Sequence, residues 1–187
     1  GWDQDTLTFD PHRAYEMYTN APIHAVYETL FKFGDDIAKP IPNLATEYSV
    51  ENHTVYTFQL RRDVQFSNGS DFTAGDVVFS VNRLKYLNSN TSFLADNIES
   101  VEASGDHTVV MTLKKPDAAF ISKLSTSGFA IVDAETAKAE GADSGPDAES
   151  KDSAQQWLDA NSAGTGPYVL SRFTPDVEVV LEANPNY

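Results

Sequence analysis

The sequence predicts a mixed fold of helices and strands, α/β or α+β, in which the sheet is largely antiparallel. In some segments apolar residues recur at helical spacing, and in others they alternate with polar residues, as in half-buried strands. Short turns rich in Gly, Asn, Ser and Asp separate neighbouring predicted strands, which favours hairpins over parallel crossovers. At 187 residues the chain is long enough for one domain or two small ones.

Two amphipathic helices are predicted. The first begins near Pro22, a residue suited to the first turn of a helix, and ends at Gly34. Its apolar positions are Ile23, Val26, Tyr27, Leu30 and Phe31. The second begins at Thr73, followed three residues later by Asp76 in the pattern of a capping box. Its apolar positions are Val77, Val78, Val81, Leu84 and Leu87.

Three regions carry strand signals. Residues 56–60 alternate in polarity, and their apolar face continues towards a turn at 67–70. Two hairpins are predicted: 98–103 with 107–113, and 168–173 with 177–181.

The remaining segments are short or polar. A short helix opens at Pro116 and ends before a Ser-rich turn at 125–128. Between residues 133 and 163, Asp, Glu, Ala, Ser and Gly dominate, and 140–152 is predicted to be a mobile surface segment. A short helix near residues 155–158 is expected to bury Trp157.

Composition narrows the classes of function. The chain has 28 Asp plus Glu against 13 Lys plus Arg, a formal charge of −15, which argues against nucleic acid and anionic membranes as partners. The absence of Cys excludes disulfides, thiolate zinc sites and thiol catalysis. A hydrophobic content of 41% excludes a disordered chain. No signal peptide and no apolar run long enough to span a bilayer are visible.

Metal binding is the first chemistry to weigh. His24 and Glu28 are four residues apart on the first predicted helix, but no further ligand shares that face, so we expect a surface pairing. Asp3, Asp5 and Asp10 lack the Gly and Glu of a calcium loop. We therefore predict no metal site and no cofactor.

Catalytic and phosphate-binding motifs are equally weak. Gly164-Thr165-Gly166 lacks the Gly-Lys-Ser/Thr ending of a P-loop, and Pro167 removes an N–H that a phosphate would need. A structural turn is the better interpretation. No Gly-x-Ser-x-Gly motif occurs, and nothing singles out a pair among the many carboxylates, so no catalytic residue is predicted.

The order of motifs along the chain nevertheless resembles a known family. Asp10-Pro11-His12 comes first, the block at 56–80 is the most specific part, and Gly164-Thr165-Gly166-Pro167-Tyr168 follows near the end. Between and after them come Val26-Tyr27-Glu28-Thr29-Leu30-Phe31, Pro42-x-Leu44-Ala45-Thr46-x-Tyr48 and Asn184-Pro185-Asn186-Tyr187. Together they resemble the extracellular solute-binding proteins of ABC importers, in the class that takes dipeptides, oligopeptides and nickel complexes.

This resemblance implies a periplasmic-binding-protein-like fold of type II, in which two lobes close on a solute. The chain is then expected to be an N-terminal portion, with the second lobe absent. Residues 1–25 and 164–187 would belong to the main lobe, and 26–163 would form an extra α+β subdomain. The implied function is the substrate-binding component of an ABC transporter, which captures peptides or a similar small solute and delivers it to the permease subunits. The implied location is outside the cytoplasm of a prokaryote, as a periplasmic protein or a cell-surface lipoprotein anchored at most by a lipid.

The resemblance also implies where the solute binds. It places contacts on the loop before the first helix, on the turn after the short helix that opens at Pro116, and on a third loop. The expected residues are Tyr15, Met17, Tyr18, Phe93, Ser125, Thr126, Ser127, Gly128 and Phe129. Aromatic and thioether groups would form apolar walls, while hydroxyl groups and a backbone N–H would satisfy polar ends. The plainer interpretation is that these aromatic residues pack in a core and that the Ser-rich turn ends a helix.

Two other functions stay open from the sequence. An enzyme or a ligand-sensing receptor domain can be built on the same scaffold, because a fold does not fix a function. An isolated interaction or structural domain is the third hypothesis. If the chain is one lobe of a clamshell, we expect it to bind its solute weakly or not at all by itself, because one lobe offers only part of the contact surface.

Overall fold

The computed structural model describes residues 8–36, 39–175 and 177–187, and for Met17 and Tyr18 it describes the backbone alone. Asp3 and Asp5, which were weighed as calcium ligands, lie outside these residues, as does Asp176 in the predicted turn of the last hairpin.

All strand pairs among the described residues are antiparallel, as the sequence predicts, and the largest sheet has four strands in the order β3-β4-β6-β5. The hairpin β5–β6 and the hairpin β7–β8 are both present where they were predicted. The strands are β1 (Phe31–Lys32), β2 (Ile41–Pro42), β3 (Ala45–Glu51), β4 (Val55–Leu60), β5 (Ile98–Ala103), β6 (Thr108–Leu113), β7 (Tyr168–Thr174) and β8 (Glu178–Ala183).

The helices are short except for α2, which begins at the predicted capping box. The backbone N–H and the hydroxyl of Thr73 both donate to the Asp76 carboxylate, each at 2.9 Å. Short 3₁₀ turns at Ser92–Ala95 and Ser127–Phe129 precede and follow α3. The helices are α1 (Met17–Val26), α2 (Ala74–Tyr86), α3 (Phe120–Lys123), α4 (Ala134–Ala139), α5 (Ala148–Lys151) and α6 (Gln155–Leu158).

Helix α2 lies between two hydrophobic cores. Val77, Val81 and Leu84 join the core beneath the four-stranded sheet, with the inward-facing side chains of β4 and β6. Phe79 joins a second core, which contains Ile23 and other residues of α1, α4 and α6. The apolar stripe that predicted α2 is therefore correct, and the helix buries two sides rather than one.

The first predicted helix is wrong in its bounds, because α1 ends at Val26 and has Pro22 inside it. Beyond Val26 the chain extends, and Phe31 pairs with Pro42 in β1–β2. Ile23 and Val26 pack in the second core, whereas Leu30 and Phe31 pack in the first. The apolar residues that suggested one helix therefore belong to two elements, which pack in two different cores.

Two further predictions need correction. Strand β3 was not predicted, because apart from Ala45 its residues are exposed at a sheet edge and lack the alternation of a half-buried strand. The segment 140–152 is not simply a surface segment: Ala148 is buried and the Asp152 side chain is fully buried in an ion pair. Trp157 is half-buried against the second core, while its neighbour Leu158 is buried.

Among the described residues, no helix is both long and apolar enough to cross a bilayer.

Candidate functional site

Two exposed aromatic rings mark a groove beside the start of α1. Tyr15 and Phe93 are 58% and 52% exposed, and their ring centroids lie 5.8 Å apart in an edge-to-face arrangement. Facing them across a cavity of about 260 Å³ is the turn formed by residues 126–128. The cavity is also lined by Ala14, Asn20, Thr91 and Leu94. Large apolar rings left in solvent beside a concave surface are the usual composition of a ligand site.

The shape of the 126–128 turn follows from short-range contacts. The Ser127 hydroxyl donates to Asn20 Oδ1 at 2.7 Å and thereby ties the turn to α1. The Thr126 hydroxyl donates to the Lys123 carbonyl oxygen at 2.7 Å and caps the end of α3. A Cβ on Gly128 would lie 2.7 Å from Leu94 Cδ1, so a larger residue here would require the Leu94 side chain to shift. These hydroxyls are held in place and leave their remaining lone pairs for a ligand.

The structure brings five of the nine predicted site residues to this groove: Tyr15, Phe93, Thr126, Ser127 and Gly128. Phe129 is only 3% exposed and its ring packs in the first core. Ser125 is fully buried, and it lines a separate cavity of about 360 Å³ together with His24 and Glu28. Met17 and Tyr18 begin α1, next to the groove in sequence, and their side chains lie outside the described residues.

His24 and Glu28 do not form the expected surface pair. Since α1 ends at Val26, these residues are not successive turns of one helix. Glu28 is buried and accepts a hydrogen bond from the Thr165 hydroxyl at 2.9 Å, and burial raises the pKa of its carboxyl group. Within the described ranges, no three His, Asp or Glu side chains converge as metal ligands would. The segment containing Thr165 is a structural turn, as predicted, with the Gly166 N–H bonded to the Val26 carbonyl oxygen at 2.9 Å.

Beneath the groove lies a buried ionic cluster, hereafter the Arg83 cluster, formed by Asp10, His12, Arg13, Arg83 and Asp152. The Arg83 side chain has no solvent exposure, and its guanidinium donates to both oxygens of Asp10 at 2.8 and 2.7 Å. It also donates to both oxygens of Asp152 at 2.7 and 3.0 Å. Arg13, at the edge of the cluster, adds a contact of 3.1 Å to Asp152. A fork of five N–H donors is suited to bridging two carboxylates in this way.

His12 joins the cluster to the groove. An Arg83 N–H lies 3.0 Å from Nδ1 of His12, and a guanidinium can only donate, so Nδ1 accepts and Nε2 carries the proton. Nε2–H then donates to the Ala130 carbonyl oxygen at 2.9 Å. Burial, reinforced by the charge of Arg83, lowers the pKa of His12 to about 4, so the ring is neutral at pH 7.

The same cluster fixes all three segments that line the groove. The His12 carbonyl oxygen accepts hydrogen bonds from the hydroxyls of Ser89, at 2.6 Å, and of Thr91. Tyr15 follows His12 closely in sequence, and Phe93 follows Thr91. The 126–128 turn leads directly into Ala130, which His12 holds.

Sequence reasoning missed Arg83 although a signal was present. Asp76, Ser80 and Arg83 recur at helical spacing along α2, and all three are buried. The Asp76 carboxylate accepts from the Ala134 N–H at 2.9 Å, and the Ser80 hydroxyl accepts from the Val132 N–H at 3.0 Å. These polar side chains therefore bind the backbone of the segment that follows the 126–128 turn. When a charged residue lies at helical spacing from other polar residues on an otherwise apolar helix, the pattern indicates a buried polar contact on that face.

Comparison with known proteins gives a consistent picture. Residues 39–187 match the profile of the bacterial extracellular solute-binding proteins, family 5. Di/tripeptide-binding protein 2 of Pseudomonas aeruginosa is 32% identical over 200 residues, which cover 96% of this chain and 36% of that protein. The probable ABC transporter periplasmic-binding protein SapA of Escherichia coli is 30% identical over 201 residues, which cover 96% of this chain and 35% of that protein.

A similar solved structure is that of the solute-binding protein MoaA from A. tumefaciens R10 in complex with mannopinic acid. It superposes with a TM-score of 0.82 at 26% identity, over 98% of this chain and 36% of that chain. The fold is therefore that of the type II periplasmic-binding proteins. The chain spans about a third of the length of the curated relatives it matches.

Proposed function

Because the chain belongs to family 5 of the bacterial extracellular solute-binding proteins, we propose that the whole protein captures a peptide or a similar small solute for an ABC importer. In this proposal the protein binds its solute outside the cytoplasm and delivers it to permease subunits. The protein does not modify the solute chemically, as expected for a family of solute-binding proteins.

The observation that carries the proposal is the exposed pair of Tyr15 and Phe93 facing the hydroxyl-lined turn. A free monomer gains stability by burying such rings, whereas here both are more than half exposed. A groove with aromatic walls and hydroxyls on one side suits a chain of amide groups, because the rings cover apolar atoms while the hydroxyls bond the polar ones. We accordingly propose Tyr15, Phe93, Thr126, Ser127 and Gly128 as solute contacts.

Met17 and Tyr18 stay in the proposed site by their position, because they follow Tyr15 at the start of α1. Ser125 and Phe129 act, in this proposal, through the backbone of the turn that they flank, since both side chains are buried. A second lobe would close over the exposed rings. The groove of about 260 Å³ is smaller than sites that enclose a drug-sized ligand, which supports a site shared between two lobes.

Peptides are the proposed solute class because a curated relative at 32% identity is a di/tripeptide-binding protein. The mannopinic acid complex of MoaA extends the proposal to other small solutes of similar size. We propose the division of the chain that the family resemblance implies: 1–25 and 164–187 in the main lobe, and 26–163 as an extra subdomain. A location in the periplasm, or at the cell surface on a lipid anchor, belongs to the same proposal.

The test is calorimetric titration of the full-length protein with a panel of di- and tripeptides. We expect at least one peptide to bind, and we expect Tyr15→Ala and Phe93→Ala each to weaken that binding by about tenfold, the loss typical of a truncated aromatic contact. Tyr168→Ala is the matched control, because Tyr168 is 46% exposed on β7 and does not line the groove. Unchanged affinity in both groove variants would exclude this groove, and the absence of any binding would exclude peptides as the solute.

A further inference from the structure

A third and larger cavity lies next to the candidate groove and differs from it in charge. It has a volume of about 600 Å³ and is lined by Phe93, Asp96, Asn97, Lys114, Lys115, Pro116, Asp117 and Lys123. Three of the eight lysines in a chain of net charge −15 thus meet at one cavity. We name it the lysine cavity.

The lysine cavity adjoins the groove at Phe93 and near Lys123. The Phe93 ring lines both spaces. On the other side, the Lys123 carbonyl oxygen accepts from the backbone N–H of Thr126 at 2.9 Å and from its hydroxyl at 2.7 Å. A solute that lies against Phe93 and Thr126 therefore has the lysine cavity as its neighbour.

Most polar groups of the cavity already have partners. Lys123 forms an ion pair of 2.6 Å with Asp117, and the Lys114 ammonium donates to the Asp96 carbonyl oxygen at 2.7 Å. For Lys115, the described residues provide no carboxylate within ion-pair distance. The backbone of Lys115 is fixed, because its carbonyl oxygen accepts from the Asn97 amide at 2.9 Å. Lys115 is exposed and lines the cavity, and its flexible side chain can therefore reach a group bound there.

We propose that the lysine cavity extends the solute site and accepts a side-chain carboxylate of the bound solute, with Lys115 as its ion-pairing residue. This inference rests on the proposed function and names a solute class within it, namely acidic peptides. The lining contains three lysines and two carboxylates, Asp96 and Asp117, and Asp117 is paired with Lys123, so one positive charge is left in excess. The local excess of positive charge would attract an anionic group that the rest of this acidic surface repels.

The experiment compares tripeptides that differ in charge but hardly in shape. The full-length protein is titrated with Ala-Ala-Ala and with three Glu/Gln pairs, in which Glu or Gln replaces one Ala at each position in turn. We expect the Glu peptide of at least one pair to bind three- to fivefold tighter than its Gln partner, the range for a partly exposed ion pair. In 0.5 M NaCl the ratio of the Glu affinity to the Gln affinity should fall towards one, because salt at that level screens charges separated by more than a few ångströms.

Charge reversal gives the decisive comparison. Lys115→Glu should invert the preference, so that the Gln peptide binds tighter, while Ala-Ala-Ala keeps its affinity within about twofold. Lys151→Glu changes the net charge equally at an exposed site on α5 outside both cavities, and it should leave the preference unchanged. If tripeptides bind but no Glu peptide binds tighter than its Gln partner, the inference is wrong and the proposed function stands. The same holds if the preference for Glu survives Lys115→Glu. If no tripeptide binds, the inference is wrong and tripeptides are excluded as the solute.

Discussion

Replacing Arg83 with Met tests whether the buried cluster holds the fold and the groove together. The substitution keeps a long side chain but removes every N–H donor that now bonds Asp10 and Asp152. Two buried carboxylates then face each other with only Arg13 nearby, at 3.4 Å from Asp10 and 3.1 Å from Asp152. Removing one partner of a buried ion pair costs about 3–5 kcal/mol. Because the Arg13 contacts remain, we expect Arg83→Met to lower the free energy of unfolding by about 4 kcal/mol at pH 7.

The measurement is the free energy of unfolding of the intact protein in urea, for wild type and Arg83→Met. Arg172→Met is the control, since Arg172 forms an ion pair of 2.8 Å with Glu178 that is largely exposed. Exposed pairs contribute little, so we expect the control to lose less than about 1 kcal/mol. An effect of Arg83→Met no larger than that of the control would refute the claim that burial gives the Arg83 cluster its strength.

The pH dependence provides a second check with a definite sign. In wild type, burial acts to raise the pKa of Asp10 and Asp152, but the charge and hydrogen bonds of Arg83 outweigh it and hold both pKa values below normal. Their stabilisation is therefore present above the unfolded pKa and is lost only in strong acid. Without Arg83, burial raises both pKa values, so protonation relieves the repulsion as the pH falls. The difference between wild type and Arg83→Met should shrink between pH 7 and pH 5, and a constant difference would contradict this explanation.

Three further changes test other parts of the structure. His12→Gln should remove an acid-sensitive contribution: the pKa of His12 is about 4 when folded and 6.5 when unfolded, so wild type loses roughly 3 kcal/mol as the pH falls from 6.5 to 4, and urea unfolding at both pH values measures this. Gly166→Ala should destabilise the protein by about 1–3 kcal/mol, because a Cβ there would lie 2.6 Å from the Ala25 carbonyl oxygen; a melting temperature equal to that of wild type would show that the backbone can move aside. Thr73→Ala should cost about 1 kcal/mol through loss of the cap on α2, visible as a lower urea midpoint, whereas Thr73→Ser should recover most of it.

The elements that the sequence predicts correctly are those whose signals are local. Helix α2 combines a capping box with an apolar stripe, and the β5–β6 hairpin combines alternation with a turn. The first helix was misplaced because its apolar spacing spans α1 and β1, which pack in different cores. Periodicity reports that side chains are buried, and it does not report which core receives them.

The groove was only partly predictable for a similar reason. Resemblance to a family indicated segments that meet at the groove, but it could not separate Ser127, which lines the groove, from Phe129, which is buried in the core. Whether a residue in a tight turn faces solvent depends on one or two dihedral angles, which the neighbouring elements set. The 126–128 turn takes its direction from Asn20, Lys123 and Leu94, which are distant from one another in sequence.

The Arg83 cluster explains why an exposed groove can have a defined shape. Loops alone lose their geometry because their backbone bonds go to solvent, whereas here each loop is bonded to a buried ion-paired scaffold. His12 donates to the segment after the 126–128 turn, and its carbonyl oxygen accepts from the loop that carries Phe93. A buried ion pair is often no more stabilising than apolar residues of the same volume. The bonds of the Arg83 cluster nevertheless hold three separate segments in fixed positions relative to one another. In the proposed function, this fixed geometry would keep the aromatic rings exposed to a solute and prevent them from packing into the core.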